Sequence, residues 1–297
     1  MNPQHQFATE EKVAQLLSEA VAAAKAKGRH SDEPSMDENI AYVERKAPKW
    51  YASHYALPTL FSLVPLFGVA RSDKADSESG SRNLDVTFPE TCHGGLHYEG
   101  PVITQYHKRV LGELVSYINN RPVDGVISFN PYKLIEAMGY GAYPRNRELL
   151  RDAINLLMKP LITVWRKGGN RRQGLKFRLV AQFDGEDNEC WFVQLSSAAT
   201  VMLQDMQLTY LSRSERSKLR DGLQTFLYDY YRAKPQAHEA TYEDLHAASG
   251  SRATDMKEFA REVREAAATI KAKCKWGMET PRGSLKMHKT TLAKAAA

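Results

Sequence analysis

Cysteine is scarce: there are three in 297 residues, Cys92, Cys190 and Cys274, far apart and without a CxxC spacing. A disulfide framework and a zinc finger are therefore not supported, and a reducing cytoplasm suits the chain best. Long apolar runs are missing as well. The most apolar one, Tyr55 to Ala70, is too short to span a bilayer and contains Pro58 and Pro65. The N-terminus has no basic stretch followed by an apolar one, so neither a membrane segment nor secretion is expected. Signatures of catalysis are also wanting. No glycine-rich loop ends in Gly-Lys-Ser or Gly-Lys-Thr, which argues against an intrinsic ATPase. His238-Glu239 lacks the second histidine that a metalloprotease helix needs where Tyr242 stands. No His-apolar-His pair suggests a nicking enzyme, and no pairing of acidic residues suggests a nuclease. Cys92, His93 and His97 flank Gly94-Gly95 and read as a glycine turn with incidental histidines. No enzymatic activity, metal or cofactor is expected.

What is present is a mild basic excess, 41 Lys plus Arg against 35 Asp plus Glu, net +6 with a pI near 9.0. That balance favours a polyanionic partner. The length allows two domains, each burying its own core. Three segments are expected: an extension over 1–82, a first domain over 83–205 and a second over 206–297 with a short tail. The extension carries an amphipathic helix over Thr9–Lys27 and ends in the polar linker Ser72–Arg82.

Past the linker, Leu84–Phe88 and Leu96–Tyr98 read as strands, and Ile103–Asn120 as a helix with Val110, Leu111, Leu114, Val115 and Ile118 inward. After a brief strand at Gly125–Phe129, Asn130-Pro131 supplies an N-cap and a first-turn proline for a short helix ending near Met138. A third helix, Arg145–Lys159, has Leu150, Ile154 and Leu157 on one side and Arg147, Arg151 and Asn155 on the other. Leu161–Arg166 and Leu175–Phe183 then form a hairpin through Lys167–Gly174, followed by a strand at Cys190–Gln194 and a short helix around Ala198–Met202. The second half repeats this order. Ser212-Arg-Ser-Glu215 is a capping box that opens a helix running to Pro235. Thr241–Asp244 begins a short helix broken at Ser249-Gly250-Ser251, and a long helix follows with Met256, Phe259, Val263, Ala267 and Ile270 on one face. Lys275–Met278 and Ser284–His288 flank Pro281-Arg-Gly283 as a closing hairpin.

The pattern predicts an α+β fold of two tandem winged-helix (helix-turn-helix) domains behind a loosely packed N-terminal extension. In such a fold the second helix of the turn enters the major groove, where Arg pairs with guanine and Asn with adenine, and the wing touches the backbone. Candidate DNA contacts in the first domain are Tyr143, Arg145, Asn146, Arg147 and Arg151. Those in the second are Ser251, Arg252, Thr254, Lys257, Arg261 and Arg264. The hairpin between them adds Arg166, Lys167, Asn170, Arg171, Arg172 and Lys176 with no intervening acid, a pattern suited to phosphates. Against this stand Glu258, Glu262 and Glu265, which would repel phosphate if they faced it.

Leu84-Asp-Val-Thr-Phe88 with Tyr98-Glu-Gly-Pro101 resembles the opening of plasmid replication initiators of the RepC and TrfA kind. Met158-Lys-Pro-Leu-Ile-Thr-Val164 and Gly174-Leu-Lys-Phe-Arg-Leu179 are similar to that family's wing, and Tyr210–Arg216 with Ser249–Thr254 to its second domain. The likeness covers Leu84 to His288 by order and spacing. It implies binding to direct repeats (iterons) in double-stranded DNA at a plasmid origin, melting of a nearby AT-rich segment, and recruitment of host proteins including DnaA and the replicative helicase. Some relatives form homodimers that repress their own gene, and others carry a clamp-binding motif, of which Leu63-Val-Pro-Leu-Phe67 is a degenerate echo. Two other functions remain open: a winged-helix transcriptional repressor at a palindromic operator, and a DNA-processing enzyme such as a nickase or primase.

Overall fold

The computed structural model describes residues 52–69, 81–87, 93–118, 126–166, 174–186, 189–196, 199, 207–234 and 237–289. All lie in one compact unit, Lys46–Ala297. The helix expected over Thr9–Lys27, most of the polar linker, Cys92, and all but Ala199 of the helix around Ala198–Met202 fall outside the described residues.

One winged-helix topology occurs twice. In the first copy the elements are α2 (Gln105–Ser116), β6 (Val126–Phe129), α3 (Pro131–Ala137), α4 (Pro144–Leu157), β9 (Val180–Asp184) and β10 (Trp191–Leu195), and the sheet runs β6-β10-β9. In the second they are α6 (Leu223–Ala233), β12 (Ala237–Thr241), α7 (Tyr242–Ser249), α8 (Met256–Cys274), β13 (Gly277–Glu279) and β14 (Ser284–His288), with the sheet β12-β14-β13. In both the last strand lies between the other two, and all its pairings are antiparallel. The expected α+β, tandem winged-helix class is the observed one.

Local chemistry accounts for the helix boundaries. The Asn130 side chain accepts from the Lys133 N–H at 3.1 Å, Pro131 opens α3, and Pro144 opens α4. Thr241 caps α7 by accepting from the Asp244 N–H at 3.1 Å, and Asp255 caps α8 by accepting from the Lys257 N–H at 2.8 Å. Both turns inside the helix-turn-helix units bend through left-handed glycines, Gly139 at φ +82° and Gly250 at φ +62°. Larger side chains adopt that backbone at a cost.

Three expectations need correction. Residues assigned to an N-terminal extension are core: β1 (His54–Pro58) pairs with β11 (Leu208–Ser212), and β2 (Phe67–Gly68) pairs in parallel with β5 (Ile103–Thr104). Between them, α1 (Leu60–Leu63) buries Leu60 and Phe61. Leu66 and Phe67, the end of the clamp-motif echo, are likewise buried. The helix opened by Ser212 is two helices, α5 (Arg213–Arg216) and α6, separated by a turn in which Leu219 is buried and Gly222 takes φ +112°. The run Leu175–Phe183 is also two strands. β7 (Leu161–Arg166) and β8 (Leu175–Phe177) do form a hairpin, but it joins β3 (Ser81–Thr87) and β4 (His93–Pro101) in a separate sheet ordered β3-β4-β7-β8. The basic hairpin is therefore an insertion between α4 and β9. The first module's own wing is the β9–β10 connection, where Glu186 and Glu189 are exposed.

Buried charges tie the copies together. Asp229 of α6 accepts from Arg216 Nε at 3.0 Å and Nη2 at 3.1 Å, and its Oδ2 lies 2.9 Å from Lys108 Nζ of α2. Arg109 of α2 donates to the Met138 carbonyl at the end of α3 (3.0 Å) and to the carbonyls of Arg216 (2.8 Å) and Leu219 (3.2 Å). Its guanidinium also pairs with Asp221 and lies over the ring of Tyr140, whose hydroxyl bonds Asp221. The first helix-turn-helix is thus fastened to the entry of the second module.

His107 gives this frame a pH dependence. Its Nδ1 accepts from the Thr104 backbone N–H at 3.0 Å, so the Thr104 hydroxyl, 2.9 Å away, must donate to it too. Burial lowers its pKa from 6.5 to about 4. The folded state therefore disfavours the proton that the unfolded chain takes up: stability is whole above pH 6.5 and falls as pH drops toward 4, by about 3 kcal/mol in all. Urea unfolding at stepped pH checks this. His107→Asn, which keeps an acceptor and does not titrate, should flatten the profile between those pH values.

Candidate nucleic-acid interface

The second module presents its cations at the turn and first helical turns. Arg252, Thr254 and Lys257 are exposed. Ser251 instead builds the turn: its N–H donates to Ser249 Oγ at 3.2 Å, and its Oγ accepts from the Ala253 N–H at 3.2 Å. Arg261 is exposed but engaged by its own helix, 2.7 Å from Glu265 and 3.5 Å from Glu258. Arg264 lies over the Tyr242 ring at 5.8 Å. Glu258 and Glu265 therefore hold Arg261 at the surface, and among the described residues Arg252 and Lys257 have no ion-pair partner.

In the first module the arrangement differs from expectation. Tyr143 is 68% exposed at the N-cap of α4, and Arg145 beside it is exposed. Asn146 is tied to the turn, its Nδ2 donating to the Gly141 carbonyl at 2.7 Å. Arg147 and Arg151 turn back on the protein, each guanidinium 5.4 Å from the Trp191 ring of β10. The Arg147 side chain is 12% exposed, and Arg151 donates to Glu148 at 3.2 Å and to the Gly185 carbonyl at 2.7 Å. A helical wheel sets these arginines opposite Leu150 and Ile154, but α4 touches protein on two sides and Trp191 occupies the second.

Within the basic hairpin, Arg166 ends β7 and Lys176 is exposed on β8. Lys167, Asn170, Arg171 and Arg172 lie outside the described residues. Arg178 just beyond the hairpin caps α4, donating to the carbonyls of Met158 (2.9 Å) and Lys159 (3.1 Å). Arg282, outside the candidates expected from the sequence, is exposed in the β13–β14 turn beside Gly283 at φ +82°. Pro281-Arg-Gly283 marked the hairpin, and the arginine at its tip was the available signal.

Among the described residues no group of His, Cys, Asp and Glu is arranged to hold a metal, and no helix is long and apolar enough to cross a membrane.

No family model matches this sequence, and no curated protein sequence is similar to it. Solved structures are similar. Domains 2 and 3 of RctB superpose with a TM-score of 0.55 at 11% identity, covering 79% of this chain and 99% of that one. A second crystal structure of the same RctB domains gives 0.49 at 10% identity, covering 78% and 96%. The shared property is the fold.

Proposed function

We propose that this chain is a non-enzymatic replication initiator that binds double-stranded DNA sequence-specifically at an origin. The observation that carries the reading is the pair of winged-helix copies in one unit, the second with Arg252 and Lys257 exposed at its helix-turn-helix and Arg282 at its wing. The same fold occurs in domains 2 and 3 of RctB, a replication initiator, and two reading modules on one chain suit a site that is repeated.

Contacts then divide by chemistry. In the second module, Arg252 and Lys257 face base edges and Arg282 the flanking phosphates; in the first, Tyr143 and Arg145 are the groups presented. The inserted hairpin, with Lys176 and the run Arg166 to Arg172, adds phosphate contacts outside both wings. The acidic β9–β10 wing is unsuited to that task. Two modules fastened through Arg109 and Asp229 would occupy successive grooves, and binding energy would be spent on deforming the DNA. The finer reading is a plasmid initiator of the RepC and TrfA kind acting on iterons in a reducing cytoplasm, melting the origin, recruiting DnaA and the replicative helicase, and forming a homodimer in autoregulation.

A footprint of the purified protein on the DNA flanking its own gene, at several salt concentrations, tests this. Evenly spaced protection over direct repeats is the expected result. One palindromic footprint at the promoter would make the chain a repressor, and no specific protection would remove the DNA reading altogether.

A further inference from the structure

Arg82 stands outside every contact assigned above. It lies on β3, which among the described residues pairs with β4 alone, opposite Gly100. Its side chain reaches the turn of the second helix-turn-helix: a Cβ placed on Gly250 would sit 3.1 Å from Arg82 Nη2 and 3.2 Å from Pro65 Cβ. The guanidinium is thus packed against the left-handed residue from which the exposed Arg252 departs. No acidic side chain among the described residues pairs with Arg82, and the cation Arg252 lies close enough to repel it. Burial, then repulsion from Arg252, lowers its pKa, while Tyr98 acts the other way.

A half-buried arginine beside a second arginine and without a carboxylate gains most from an arriving anion. Several other arginines do have acidic partners: Arg216 has Asp229, Arg213 has Glu113, and Arg261 has Glu258 and Glu265. The turn between the two helices lies where the DNA backbone passes as the second helix enters the groove. We infer that Arg82, delivered by β3 to the Gly250 turn, binds a backbone phosphate of the DNA held by the second winged helix. The inference rests on the DNA-binding reading above and adds to it a residue from outside both winged-helix modules. The four-stranded sheet thereby becomes part of the interface at β3 as well as through its basic hairpin.

The salt dependence of binding separates a phosphate contact from a structural role. Full-length protein, Arg82→Met and Arg82→Lys are titrated with a duplex selected by the wild type from a random pool and with an unselected duplex. One lost phosphate contact lowers the slope of log affinity against log salt by about 0.9. The expected result for Arg82→Met is that decrease, with affinity falling by a similar factor on both duplexes and the order of sequence preference kept. Arg82→Lys should restore the slope. An unchanged slope in an Arg82→Met protein with wild-type melting would overturn the inference. So would weaker binding at unchanged slope, since Arg82 would then support only the turn. Wild-type protein that selects no duplex would instead remove the DNA reading itself, an outcome distinct from either.

Discussion

Asp229→Ala should cost about 3 to 5 kcal/mol of stability, because it leaves Lys108 and Arg216 buried together with no negative charge between them. Asp229 has no exposed surface, and the two cations it serves are each 1% exposed. Burial alone would raise the Asp229 pKa, but Arg216 and then Lys108 outweigh it and hold the carboxyl below its ordinary value. Its stabilising effect is therefore fully present above the ordinary carboxylate pKa and is lost as pH falls through its own lower one. A loss of this size is a large share of the roughly 5 to 15 kcal/mol that holds a typical domain folded. Urea unfolding at neutral pH measures it. The companion variant replaces all three residues, Lys108→Met, Arg216→Met and Asp229→Leu, and should approach or exceed wild-type stability, since no charge then remains unpaired. A loss as large as that of Asp229→Ala would show that hydrogen bonds and shape at this site, and not ionic balance, hold the modules together.

These buried charges were the part of the fold least visible in the sequence. Lys108, Arg109, Arg216 and Asp229 each occupy a position where a solvated charge on a helix face would have read the same way. Their partners lie up to a hundred or so residues apart, as with Arg109 and the carbonyl of Leu219. What local chemistry dictates was legible: the caps at Asn130 and Thr241, the apolar faces Leu150-Ile154-Leu157 and Val263-Ala267-Ile270, and the closing hairpin at Pro281–Gly283. Non-local pairing was not. β1 meets β11 across the whole first module, with Thr59 Oγ1 and Thr209 Oγ1 2.9 Å apart, so an apolar run that seemed to precede the domain is inside it. The two residues Arg178 and Leu179 are all that separates β8 from β9, which carry one continuous β-like run into two different sheets. For the candidate residues, the exposure of Arg252, Thr254 and Lys257 in the second module was legible from residue type, whereas the turn of Arg147 and Arg151 onto Trp191 in the first was not, because a binary pattern assigns those arginines to solvent.

That contrast gives the second large effect. Arg252→Ala should weaken binding to the specific duplex by about 1 to 3 kcal/mol if its guanidinium makes a bidentate base contact, with a smaller change on unrelated duplexes. Arg147→Ala should leave both affinities nearly unchanged and lower thermal stability instead. Its guanidinium lies 5.4 Å from the buried Trp191 ring, an interaction worth about 0.5 to 2 kcal/mol. Anisotropy titrations and melting curves on the two proteins decide the matter. A specific-binding loss for Arg147→Ala at unaltered melting would mean that the side chain leaves Trp191 and reaches the groove when DNA arrives, making the first module a reader through its arginines after all. Unchanged specific affinity for Arg252→Ala would move base recognition away from the Gly250 turn, and with it the position of the duplex on the second winged helix.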